Sequence, residues 1–270
     1  MKNRILKIGK ANATFQEILA LKENRTKRYS CKKFFVEGVQ NIKDAIANKW
    51  EIDSFIFSDF DGLSSWAKSV LEYAENCYQL TEELMFKLSD KDETSELLAI
   101  VRMKEQKLNI NNLDNPLFIL FDRPSKKGNL GTIIRSADAL FVNQLFFTGH
   151  AVDIYDHTVI TSSMGSFFKV PFKFLNSNNE FEELVAMLKE KYADFQVVAT
   201  SLQTDNSLSE CNFKKPTLLL VGNEANGLSK FYIDKSDELV KIDMNENIDS
   251  LNVACATSIC LYEINRQRKG

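Results

Sequence analysis

TLLLVGNEANGLS, residues 217–229, runs from an apolar segment into a polar turn. Leu218 to Val221 end at Gly222, the pattern of a buried parallel strand stopped by a tight turn. Glu224 sits in that turn and Gly227 closes it. After a short connector comes LVKIDMNENIDSLNVACATSICLYEINRQR, residues 239–268. Leu239 to Ile242 read as a second strand leading into a polar loop. Ser250 has the character of an N-cap for a helix that follows. Two strand ends, two loops and one helix start therefore converge, and α/β sheets bind ligands in loops beyond the carboxyl ends of their strands.

Upstream, LFILFD ends at Asp122 as a buried strand, RPSKKGNLG is a loop and TIIRSADAL a helix. QLFFTG is a strand, and FKVPFKF is restricted by Pro171 to an edge. FEELVAMLKEKY is an amphipathic helix and FQVVATS a strand. Residues 104–116, KEQKLNINNLDNP, carry no clustered core residues and close on Asn-Pro, which marks a linker. Ahead of it, a helix around Ala13–Glu23 and a charged surface loop, NRTKRYSCKK, precede alternating strands and helices, which predict a small α/β domain. The division is 1–106 for the first domain, 107–116 for the linker and 117–270 for the second, a parallel-sheet α/β domain.

The chain has 270 residues, enough for two cores, and its 44% hydrophobic and 26% charged content is that of a globular protein. No apolar run approaches transmembrane length and no signal-peptide pattern opens the chain. Five scattered cysteines without a CxxC read as reduced thiols of a cytoplasmic protein. His150 and His157 are the only imidazoles, which argues against a zinc site or a His-based triad. The net charge is −3, but residues 1–36 hold ten Lys/Arg against two acids, +8, leaving −11 on the remainder. A basic arm on an acidic body reads as a phosphate-contacting footprint or as a solvated leader.

Candidate site residues carry local readings first. Gly128, Asn129 and Gly131 stand at a strand-to-helix turn whose N–H groups can face an anion. The run is neither a Walker loop nor a GxGxxG fingerprint. Arg135, three residues before Asp138, reads alone as half of a surface pair worth under about 1 kcal/mol. Glu224 reads as a cap for a helix near Leu228, and Ser250 and Asn252 as caps.

GNEANGLS and SLNVACATSICLYEINRQR resemble the second and third signature motifs of the SpoU/TrmH-type RNA ribose methyltransferases, members of the knotted SPOUT superfamily. GNLGTIIRSADAL at 128–140 resembles the first, and the three stand in the family's order. FFVEGVQNIKDAI and SELLAIVRM resemble the ribosomal-protein-like, RNA-binding domain that precedes many of these enzymes. The resemblance implies a C-terminal SPOUT domain with a trefoil knot, forming a homodimer through that domain. It implies S-adenosylmethionine-dependent 2′-O-methylation of an RNA ribose, without a metal, with rRNA favoured over tRNA by the extra domain. It assigns Arg135, Asn129, Glu224, Ser250 and Asn252 to catalysis. Gly222, Ile242 and Leu251 fall at cofactor-contacting positions, with Thr200 and Met244 beside them. Three departures stand out: Lys127 replaces a frequent proline, and Asp243 and Glu246 replace frequent Pro and Gly, so that two acids stand near the cofactor loop. A tRNA methyltransferase, a non-catalytic RNA-binding or ribosome-assembly protein keeping the fold, and a doubly wound nucleotide-cofactor enzyme are the alternatives.

Overall fold

Apolar runs form the strands, and Asn, Ser, Thr and Asp residues between them cap the helices. The computed structural model describes residues 5–89, 94–245, 247, 248 and 250–269, which fall into two units. Lys2, Arg4 and Glu246 lie outside the described residues.

The first unit comprises Met1–Glu105 and, from later in the chain, Asp153–Lys169. It runs β1 (Ile5–Ile8), α1 (Ala13–Glu23), α2 (Arg25–Cys31), β2 (Lys33–Glu37), α3 (Val39–Ala47), β3 (Ile52–Phe57), α4 (Ser65–Val70), β4 (Ala74–Leu80), α5 (Glu82–Leu88) and β5 (Leu98–Arg102). The sheet order is β1-β4-β3-β5-β2. β4 pairs in parallel with β1 and β3, and β5 pairs antiparallel with β3 and β2.

NRTKRYSCKK, expected as loop, contains helix α2. Asn24 Oδ1 caps it by accepting from the Lys27 amide at 3.1 Å, and Arg28 anchors it inward. Arg28 is only 2% exposed. Its Nε donates to Asp153 at 2.6 Å and its Nη1 to the carbonyls of Leu21 and Lys22. The basic stretch is therefore not a free arm. Lys22 is buried with its ammonium 5.9 Å from the Phe35 ring, Lys27 pairs with Glu17, and Lys33 pairs with Asp53.

The second unit opens with β6 (Leu117–Asp122), α6 (Lys127–Ala139) and β7 (Gln144–Thr148). The chain next forms α7 (His157–Ser163), inside the segment that belongs to the first unit. There Tyr155, Phe167 and Phe168 pack with Phe34 and Trp50, and Trp50 Nε1 donates to the Phe168 carbonyl at 3.0 Å. Burying an aromatic of this size contributes about 1.5–3 kcal/mol, enough to hold a segment whose polar residues give no core pattern.

β8 (Phe172–Leu175), α8 (Asn178–Lys191), β9 (Gln196–Thr200), β10 (Thr217–Val221), α9 (Lys230–Asp234), β11 (Glu238–Val240) and α10 (Val253–Lys269) complete the second unit. All pairings in its sheet are parallel, in the order β11-β9-β10-β6-β7-β8. β8, next to Pro171, is an edge strand as the proline requires. β10 and β6 are central and every residue of both is buried, which is why they read as unbroken apolar runs. Among the described residues no helix is long and apolar enough to cross a membrane.

Candidate active site

The carboxyl ends of β6, β9, β10 and β11 feed the site. Gly222 ends β10, and a Cβ built on it would lie 2.3 Å from the carbonyl carbon of Gly227. Only glycine lets the Asn223–Gly227 loop fold back this tightly. Asn223 and Gly227 exchange backbone hydrogen bonds at 3.0 and 2.9 Å, and Gly227 takes a positive φ of 63°.

Glu224 projects from this loop toward the start of α6. Its carboxylate accepts from the hydroxyl and amide of Ser125, the Lys126 amide and Asn129 Nδ2. Burial works to raise this carboxyl, but hydrogen bonds from Ser125, its own backbone amide and Asn129 outweigh it and hold it below its ordinary value. Glu224 does not cap the helix near Leu228, and the amides ahead of α6 are occupied by its carboxylate. Gly128, Asn129 and Gly131 already lie within α6, one turn earlier than the composition of the loop suggests.

Asn129 joins the next element. Its Nδ2 donates to Glu224 and its Oδ1 accepts from Asn252 Nδ2, both at 3.1 Å. Asn252 Oδ1 in turn accepts from the amides of Ala254 and Cys255, which makes it the cap of α10. Ser250, expected at that cap, lies two residues earlier and is exposed. Ser136 and Ser258 hydroxyls, 2.8 Å apart, tie α6 to α10. Arg135, one residue before that tie, is exposed, and among the described residues it has no hydrogen-bond or ion-pair partner. The surface pair with Asp138 that the spacing allows is not formed.

A cavity of about 490 Å³ opens beside Glu224. Gly222, Ile242, Leu251, Thr200 and Met244 all line it, together with Glu224 and Ser250. Asn129, Arg135 and Asn252 are not among its lining residues. Its far wall is the inner face of α10: Val253, Ala256, Thr257 and Cys260. Burial pushes the Cys260 thiol up to about 12, so it stays protonated and serves as apolar wall. The Thr200 hydroxyl donates to the Leu220 carbonyl at 3.1 Å. Among the described residues, Glu224 and Lys241 are the charged residues of the lining. Asp243 is not part of it: its carboxylate accepts from the Ser207 hydroxyl at 2.5 Å, directed to the neighbouring loop.

Sequence reasoning missed Ser125, Asn223 and the pair Asp122–Arg123. Asn223 Nδ2 donates to the Arg123 carbonyl at 2.6 Å, and Asp122 accepts from the Ser229 amide at 3.1 Å. Their signal was position alone, at the ends of the two central strands.

The SpoU rRNA Methylase family matches residues 116–262, and the SpoU L30e-like domain matches residues 12–99. A 23S rRNA (uridine(2479)-2′-O)-methyltransferase of Streptomyces viridochromogenes is 36% identical over 97% of this chain and 92% of its own length. The 23S rRNA (guanosine(2553)-2′-O)-methyltransferase RlmP of Bacillus subtilis is 26% identical over 91% of this chain and 92% of its own. Among solved structures, the SpoU methyltransferase AviRb from Streptomyces viridochromogenes in complex with the cofactor AdoMet superposes with a TM-score of 0.89 at 36% identity, covering 96% of this chain and 99% of that one. Three motifs brought to one corner of the sheet, and relatives matching along nearly the whole length, lead to one conclusion: the chain belongs to the SpoU rRNA methylase family.

Proposed function

We propose that this protein transfers a methyl group from S-adenosylmethionine to the 2′-hydroxyl of a ribose in 23S rRNA. The observation that carries the reading is the cavity at the carboxyl ends of β9, β10 and β11, adjoining the Glu224–Asn129–Asn252 hydrogen-bond chain. Its volume lies within the range of small-molecule sites. The residues present fit the cofactor: apolar side chains for the adenosine, one acid and one base for a ligand that is both cationic and zwitterionic. The two relatives named above act on a uridine and a guanosine, so the chemistry they share is at the ribose.

Bound S-adenosylmethionine supplies an electrophilic methyl on a sulfonium. Gly222, Ile242 and Leu251 hold the adenosine, with Thr200 and Met244 flanking it. A ribose hydroxyl is a weak nucleophile at neutral pH, so the protein must align it and stabilise the charge that develops on its oxygen. The Arg135 side chain, without a hydrogen-bond or ion-pair partner among the described residues, holds the RNA phosphate or the 2′-oxygen and supplies a positive charge against the negative charge developing there. Glu224, Asn129, Ser250 and Asn252 orient the loop and the target nucleotide.

The same proposal includes a homodimer through α10, whose Ile259 and Tyr262 are 41% and 64% exposed. It also includes the trefoil knot. α10 returns to the beginnings of β6 and β10, where Arg268 donates to the carbonyls of Asn115 and Lys215, each at 2.7 Å; a threaded C-terminus needs such a return. Five free cysteines fit a cytoplasmic setting.

The test is transfer of labelled methyl to unmodified 23S rRNA, 16S rRNA and tRNA. The expected product is an alkali-resistant dinucleotide from 23S rRNA, lost in Arg135→Ala with cofactor affinity kept within about threefold. Label confined to tRNA would reassign the substrate. Cofactor and RNA binding without any transfer would favour the non-catalytic alternative.

A further inference from the structure

Arg123 is a strained residue beside the cavity. Its φ is +50°, in a region that glycine enters freely and arginine does not. The structure makes room for it. Gly149, itself at φ +62°, lies where a Cβ would stand 2.5 Å from Arg123 Cγ. The guanidinium grips buried Asp122, with Nε at 3.1 Å from both carboxylate oxygens and Nη2 at 2.8 Å. Nη2 also reaches the Gly227 carbonyl at 3.4 Å, while the Arg123 carbonyl accepts from Asn223 at 2.6 Å. Both ends of the Asn223–Gly227 loop are therefore fastened to one residue. Asp122 adds the Ser229 amide just beyond that loop and the Thr148 hydroxyl at 2.9 Å.

We infer that Arg123 is a positioning residue for the methyl-transfer site: its backbone and guanidinium together fix the loop that carries Glu224 and forms the cavity wall. This rests on reading that cavity as the cofactor site. A residue held in an unfavourable conformation at a binding loop, with a glycine cleared opposite it, is stabilised by the contacts that demand it. The competing explanation is that Arg123 only neutralises the buried Asp122.

Three variants separate these by titration with S-adenosylhomocysteine, thermal unfolding and methyl-transfer kinetics. Arg123→Gly relieves the backbone but removes the clamp, and is expected to weaken S-adenosylhomocysteine binding about tenfold. The double variant Asp122→Asn, Arg123→Gly removes the buried charge as well. Its unfolding temperature is expected to recover toward wild type while its ligand affinity stays about tenfold down. Arg123→Lys keeps the charge but lacks the fork needed to hold Asp122 and Gly227 together, and is expected to lower kcat with intermediate affinity. Recovery of affinity in the double variant, or wild-type affinity in Arg123→Gly, overturns the inference. Wild-type protein that does not bind S-adenosylhomocysteine overturns the cofactor reading itself, and this inference with it.

Discussion

Asn129 stands between Glu224 and Asn252 and hydrogen-bonds in opposite senses: its Nδ2 donates to Glu224 and its Oδ1 accepts from Asn252, each at 3.1 Å. An amide can do both and a carboxylate cannot. The residue thus joins the β10 loop, the start of α6 and the cap of α10.

Asn129→Asp sets a second carboxylate against Glu224 and removes the donor between them. Methyl transfer is expected to fall by about 100-fold, while S-adenosylhomocysteine affinity, which depends on the cavity, stays within about threefold. Parallel kinetics and titration check this; equal losses in both would place Asn129 in the cavity wall instead.

Gly222→Ala puts a methyl group 2.3 Å from the Gly227 carbonyl carbon. The neighbour is backbone, so it cannot rotate away. We expect a stability loss of about 1–3 kcal/mol and ligand binding weakened more than about tenfold, measured by urea unfolding and titration. An alanine variant that binds normally would show that the loop adapts.

Glu224 is held below its ordinary value of 4.5 in the folded chain. A depressed carboxyl contributes stability that is present above the unfolded value and lost as pH falls through the folded one. Wild type should therefore lose more stability than Glu224→Gln on acidification from neutral pH to below 4.5. Thermal unfolding across that window checks the difference, and parallel curves would remove Glu224 as the source.

Arg28→Met strands Asp153 as a buried carboxylate, 6% exposed. Breaking a buried pair from one side costs about 3–5 kcal/mol. Adding Asp153→Asn should recover part of it. Urea unfolding gives both numbers; a loss under about 1 kcal/mol would make the pair equivalent to a surface one.

The central sheet was legible because β6 and β10 are buried on both faces and read as continuous apolar runs, each ended by the residue that turns the chain. The edge position of β8 followed from Pro171. Glu224, Asn129 and Asn252 were found by motif, but their connection was not legible, since it depends on side chains up to 123 positions apart. Arg28 was misread because a buried arginine and a solvated one look alike in sequence; only the facing Asp153, 125 positions away, distinguishes them. β1 was missed because four residues with one fully buried side chain give too little period.

The grouping of Asp153–Lys169 with the first unit has a consequence for inheritance. The chain passes between the units three times, at Glu105–Gln106, Val152–Asp153 and Val170 after Lys169. A fragment of residues 1–106 would lack Tyr155 and Phe167, which pack on its Phe34, and a fragment of 107–270 would carry that piece of a foreign core exposed. The first unit therefore cannot be exchanged as a cassette by a single crossover between genes. A recombinant keeps that core matched only if both of its separate stretches come from the same parent, so those two stretches are expected to diverge together.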